Sequence, residues 1–423
     1  MLNRRHLLQG LGGLATAPLF LRSIAAEAAS ANDTIVVAIM LQGGNDGLNT
    51  VIPLKQYGAY RTLRTPGPPP NASLALAYTE AQLAATAFDA NPSTAAAQAS
   101  EFAFNPAMGP MRGLYARNKL AVLTGVGLPL AEIGSLNHGT AEQDWQTGLI
   151  NQGAGDPPGW LGMALSGVPA GSLGPTASFA GSSLLLTTAT SQALTIWPPL
   201  ENFQSYTSTT DNWTALTSAA SAIMALPTTS AAAAFDQGVI QTAHADIGTV
   251  QAIAKAEPVA DYPTQKTYLG QQLREIARLI LGGSGIRGYF AGQGSYDSHS
   301  AQATTQPALL ADLSRSMETF YLYLKARGAS RNVVIMTMSD FGRRPQANAN
   351  FGTDHGAASV NFVLGDRVKG GVYGHYPSLT KLDPNGNLAV GVDFRNLISD
   401  VIQGMGGNPT PILGMTYPKL GFI

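Results

Sequence analysis

Residues 34–41 read TIVVAIML, and Gln42-Gly43-Gly44-Asn45-Asp46-Gly47 follow directly. A continuous run of β-branched and aliphatic residues has no polar face. It therefore reads as a strand buried on both sides, as in a parallel sheet covered by helices. The glycine pair ends the run and lets the backbone turn sharply there. Leu120–Val126 and Val333–Met338 repeat the pattern, and Ile286–Phe290 and Val360–Leu364 are shorter versions. Helical spacing lies between them. In Thr305–Arg327 the residues Leu309, Leu313, Met317, Phe320 and Leu324 fall on one stripe, with Pro307 in the first turn; Lys266–Leu281 and Phe394–Met405 are similar. Strands alternating with helices predict an α/β fold, a mostly parallel central sheet flanked by helices.

Two stretches interrupt the alternation. Residues 62–105 open with Pro66-Gly67-Pro68-Pro69-Pro70 and continue rich in alanine, and residues 205–260 are rich in Ser, Thr and Ala with helical spacing. Both read as insertions, lid or cap elements, with helices across 211–255. The first residues read as a leader. Arg4-Arg5 precede the apolar run Leu11–Leu21, and Ala26-Glu27-Ala28 offers a small-residue cleavage site. This is the pattern of a twin-arginine signal peptide, residues 1–28, which leaves 29–423 as one domain in the periplasm or secreted. No other stretch reads as a transmembrane segment.

Charge and cysteine narrow the function. Without residues 1–28, which carry Arg4, Arg5, Arg22 and Glu27, basic residues fall from 25 to 22 and acidic from 26 to 25, a net charge of −3. No basic run remains, which argues against nucleic acid as a partner. The chain has no cysteine, so disulfides, thiolate metal sites and cysteine nucleophiles are excluded.

In open α/β sheets, ligands bind beyond the carboxyl ends of the strands. Asn45-Asp46 follow the first strand, Asp340 ends the strand at Val333–Met338, and Asp297 and His299 follow Ile286–Phe290. Alternate residues of an extended segment point the same way, so Asp297 and His299 can reach one ion. Asp354-His355 lie between Gly352 and Gly356, which permit tight backbone geometry. His138 and Thr140 precede a helix at Ala141–Gln146, whose amino end can hold an anion. Arg343-Arg344 can clamp phosphate or sulfate oxygens. Each cluster alone is also an ordinary turn or helix cap. Together, Asp46, His138, Asp297, His299, Asp340, Asp354 and His355 provide enough ligands for a pair of divalent ions. His244 reads as structural, and Trp145 and Trp160 as core.

The stretches Leu41–Asn49, His138–Gly148, Tyr296–His299 with Gln302, Ser339–Arg343 with Pro345, and Gly352–Gly356 resemble the bacterial exported family called domain of unknown function 1501, over nearly the whole chain. That family is placed in the alkaline phosphatase and sulfatase superfamily. The resemblance implies an alkaline phosphatase-like sheet with its site at the carboxyl edge. It implies that Asp297, His299 and His355 hold one metal, and that Asp46 and Asp340 hold a second near a nucleophile. Related proteins often carry Ser directly before the His; this chain has Asn137, with Thr140 and Ser135 as substitutes. The Asp-His pair expected after the fifth strand is here Asp340-Phe341.

The resulting expectation is an exported metal-dependent hydrolase of phosphate or sulfate esters. One or two divalent ions (Zn, Mn or Ca) serve an anionic ester substrate. Thr140 or water attacks, His138 stands beside it, and Arg343 clamps the anion. The competing expectation is a non-catalytic exported module on the same fold. It would keep at most one ion and bind a surface polymer or a partner protein.

Overall fold

A computed structural model of the chain describes residues 33–423 apart from 66–74, 94–99, 134–135, 151–156, 170, 189–192, 204–217, 220–221, 223–224, 258, 260 and 264–265. The leader at 1–28 and Ser135 lie outside the described residues, as do parts of both expected insertions.

The run TIVVAIML forms β1 (Ile35–Leu41), buried throughout after its first residue. Three short strands follow: β2 (Val51–Pro53), β3 (Ala87–Phe88) and β4 (Phe102–Phe104). They make a small antiparallel sheet of order β2-β4-β3. The main sheet continues with β5 (Leu120–Gly127), β6 (Thr176–Ser178), β7 (Leu194–Thr195), β8 (Gly288–Gln293) and β9 (Val333–Ser339). A hairpin of β10 (Gly342–Ala347) and β11 (Thr353–Gly356) leads into β12 (Ser359–Gly365), and β13 (Gly371–Tyr373) and β14 (Val392–Asp393) close the series. Among the described residues the main sheet has the order β13-β5-β12-β9-β1-β8-β6-β7, with β14 also on β5. Its pairings are parallel except at β12, which runs antiparallel to both β5 and β9.

The strand period divides the core. Val37, Ile39 and Leu41 of β1 pack with the helices Gly109–Ala116, Tyr268–Leu281 and Gln302–Ala326. Val36, Ala38 and Met40 pack with His138–Thr147, Trp160–Leu165 and Phe394–Gly404. Both faces of β1 are covered, which is why its sequence carries no polar alternation. Trp145 and Trp160 are core residues, as read from the sequence. The stretch 231–256 is helical, within the region expected to be so.

The helix Gln302–Ala326 starts three residues before the Thr305 expected from Pro307. Proline marks a first turn in sequence, but here Pro307 lies inside the helix. The extra residues are held from outside: the Ala301 and Gln302 amides donate to the Asn350 and Phe351 carbonyls at 3.1 and 3.0 Å. No helix among the described residues is long and apolar enough to cross a membrane.

Candidate metal centre

The carboxyl ends of β1, β8 and β9 deliver three loops to one edge. Gly43 makes their close approach possible. Its φ is +109°, a region L side chains rarely adopt, and a Cβ there would stand 2.4 Å from the Asp297 backbone nitrogen. The Gly43 amide also donates to Asp340 Oδ2 at 3.0 Å. Gly43→Ala is therefore expected to push the Asp297 loop off the edge. A lowered thermal midpoint measures this.

At this edge His138, Asp297 and His355 each offer one ligand atom, all within 4.8 Å of one another. The Nε2 atoms of His138 and His355 are 3.1 Å apart, and Asp297 Oδ2 lies 3.7 Å from His138 Nε2. Outer partners orient both rings. His138 Nδ1 faces Asp340 Oδ2 at 2.6 Å, and His355 Nδ1 faces the Leu136 carbonyl at 3.1 Å. Each Nδ1 thus acts as the N–H donor, which leaves both Nε2 atoms as acceptors aimed at the same point. Phe341, fully buried, packs its ring on both imidazoles at centroid distances of 4.7 and 4.6 Å. Burial lowers the proton affinity of His355, with Arg343 and His138 adding to it against the Leu136 contact. Asp297 is driven up by desolvation, but the Arg343 hydrogen bond and charge outweigh this and hold it below the usual carboxylate range.

The structure redistributes several expected roles. His299 lies beside the group: its Nε2 is 3.0 Å from Asp297 Oδ1, and its Nδ1 is 3.4 Å from Asp354 Oδ1. His138, expected as a catalytic group, occupies the place in the compact set that His299 was expected to fill. Asp354 flanks His299 and also accepts from Asn348 at 3.1 Å, the contact that most lowers its proton affinity. Asp340 is buried and backs His138. Burial pushes its carboxyl up, against the pull of His138 and the Gly43 amide.

Asp46 is not placed as a ligand. It is buried, its Oδ1 meets Arg64 at 2.5 Å and caps Leu48 and Asn49, and its Oδ2 accepts from Gln302 at 2.5 Å. A carboxylate after a Gly-Gly turn looks the same in sequence whether it faces an ion or a buried arginine. Arg343 is not a free anion clamp. Its side chain is buried, and its guanidinium donates to the carbonyls of Gly44 (2.9 Å), Thr353 (3.0 Å), Tyr296 (3.3 Å) and Gly43, and to Asp297 Oδ1 (2.6 Å). Thr140 is exposed, two residues along the helix from His138. That offset turns its side chain about 200° away from the imidazole, on the far side of the helix.

Sequence reading passed over Glu142. It lies one turn after His138 on the same helix face and hydrogen-bonds Gln42; burial, with Asp340 next, raises its proton affinity. The four-residue spacing from His138 was the available signal.

An α/β protein with a mainly parallel sheet, carrying imidazole and carboxylate groups on a loop, a helix start and a hairpin strand at its carboxyl edge, is the class these features define. The chain belongs to the family described as protein of unknown function (DUF1501), whose model matches residues 33–416. A comparison with curated proteins finds no match. Among solved structures it is similar to Ps i-CgsB in complex with k-i-k-neocarrahexaose, with a TM-score of 0.40 and 8% identity over 92% of this chain and 75% of the other. It is also similar to the PsFucS1 sulfatase from Pseudoalteromonas sp., with a TM-score of 0.39 and 10% identity over 96% of this chain and 74% of the other.

Proposed function

We propose that the chain is an exported metal-dependent hydrolase of phosphate or sulfate esters, with His138, Asp297 and His355 as the metal ligands. The observation that carries this reading is the 3.1 Å approach of two imidazole Nε2 atoms beside a carboxylate. Two acceptor nitrogens repel at that distance unless a proton or cation lies between them. Two nitrogens on one tetrahedral zinc, each at about 2.0–2.1 Å, stand roughly 3.3 Å apart, so the donors fit such an ion. Two nitrogens and one carboxylate suit zinc or manganese better than calcium, which takes oxygen ligands.

When bound, the ion would polarise an ester oxygen and ease deprotonation of water. The chain's own groups do the rest. Asp340 holds the proton of His138 Nδ1 and fixes the ring. Arg343 fixes Asp297 and three loops at once. The helix His138–Thr147 begins at the cluster, so its positive end favours an anionic substrate. Glu142, one turn along the helix from His138 and with raised proton affinity, would give a proton to a leaving oxygen in this reading. Water is the attacking group in this reading, because Thr140 faces away. Thr140→Ala is accordingly expected to change turnover by no more than about twofold, the effect of an ordinary surface substitution.

The test is a panel of chromogenic phosphate monoester, phosphodiester and sulfate ester substrates, before and after chelation. Turnover that disappears with the metal and returns on reloading supports the reading. A second reading, a non-catalytic binding module with one ion, is favoured by the full engagement of the Arg343 guanidinium. A stoichiometric ion without turnover on any ester would establish the module instead.

A further inference from the structure

We propose that Gln302 is a positioning residue, one amide that locks the two ligand-bearing segments together and so sets the spacing of the donors. Its side chain is fully buried at the first residue of the helix Gln302–Ala326. All four of its hydrogen-bonding positions are used. Oε1 accepts from Ser298 Oγ at 3.0 Å and from Thr353 Oγ1 at 2.6 Å. Nε2 donates to Asp46 Oδ2 at 2.5 Å and to Gln306 Oε1 at 2.9 Å.

Ser298 stands between Asp297 and His299, and Thr353 directly precedes Asp354-His355. The two segments also meet through the backbone, where the Thr353 amide donates to the Ser298 carbonyl at 3.0 Å. The other side of the amide is tied to an ion pair with no solvent contact, Asp46 with Arg64 at 2.5 Å. Gln306 Nε2 adds a bond to the Asp46 carbonyl at 3.0 Å. Asp46 thus acts on the candidate site through Gln302. A mobile Ser298 or Thr353 would let Asp297 and His355 drift apart, and loss of such outer support typically weakens metal binding by about 10–100-fold.

The amide has a direction: its acceptor serves the two hydroxyls and its donors serve Asp46 and Gln306. Gln302→Glu keeps the shape but sets two carboxylates face to face. Adding Asp46→Asn reverses the bond, with the donor now at position 46, and keeps the total charge beside Arg64. This inference rests on the metal reading above for its consequence, but the locking itself does not. The experiment measures hydrogen–deuterium exchange over residues 296–300 and 352–356 of chelated protein, and zinc affinity by titration. Gln302→Ala should speed exchange in both segments together while β5 and β12 keep their protection, and should weaken zinc by about 10–100-fold. Gln302→Glu should do the same or worse, and the Asp46→Asn/Gln302→Glu pair should recover part of both readouts, the remainder being the lost bond to Gln306 Oε1. Gln302→Asn, which keeps the amide but shortens its reach, replaces the alanine variant if that fails to fold. Unchanged exchange in either segment, or no recovery in the pair, overturns the proposal. A wild-type protein that takes up no zinc overturns the metal reading instead, and the exchange result then decides the lock alone.

Discussion

Changing His138 and His355 together to alanine is expected, on the proposed metal reading, to abolish zinc uptake and ester hydrolysis while the fold persists. Both rings are partly open to solvent at the sheet edge, so no core is lost with them. What is lost is two of three converging donors. Affinity for zinc should fall by more than about 100-fold, beyond what removal of a mere supporting contact does. Metal content of the purified variant and titration of the chelated wild type measure this. His299→Ala separates the compact set from its neighbour. With His299 outside the group of three, that variant should keep its ion with a smaller loss. An ion retained by His138→Ala but lost from His299→Ala would return the site to the ligand set first expected from sequence.

Arg343→Met should give the largest loss of stability at the site. The guanidinium reaches carbonyls on the loops after β1 and β8 and on β11, as well as the Asp297 carboxylate. Removing it leaves several buried acceptors without donors, each worth about 1–3 kcal/mol. Non-additivity and relaxation reduce the sum, and a net cost of roughly 3 kcal/mol or more is expected. The thermal midpoint of chelated protein reports it without interference from metal binding. Arg343→Lys keeps the charge but not the planar fork, so it should recover little of the loss. A lysine variant as stable as the wild type would show that charge alone holds the three loops.

The strands of the sheet centre were legible because burial on both faces writes a continuous apolar run, as in β1 and β9. The short outer strands were not. Thr176–Ser178 and Leu194–Thr195 are too brief to carry a period, and polar residues in them leave no signature. The reversed direction of β12 was also invisible, since side-chain alternation reads the same from either end. At the candidate site, clustering near glycines picked out Asp297, His299, Asp354, His355 and His138. It could not assign Asp46 or Arg343, because their partners are far away in sequence. Arg64 and Gln302 settle Asp46, and four backbone carbonyls occupy Arg343. Polar chemistry near a turn indicates a junction in the fold, but not which side of the junction a side chain serves.

The backward course of β12 has an evolutionary consequence. The chain leaves β9 at the functional rim, builds the β10–β11 hairpin there, and re-enters the sheet through the adjacent β12 without crossing to the opposite rim. Residues 340–358 therefore form a cassette whose two stems are neighbours. Insertions or deletions at its tip, near Asn348–Phe351, would remodel what the rim admits without disturbing strand order. Length differences among relatives should concentrate in that tip, while the stems stay constant in length.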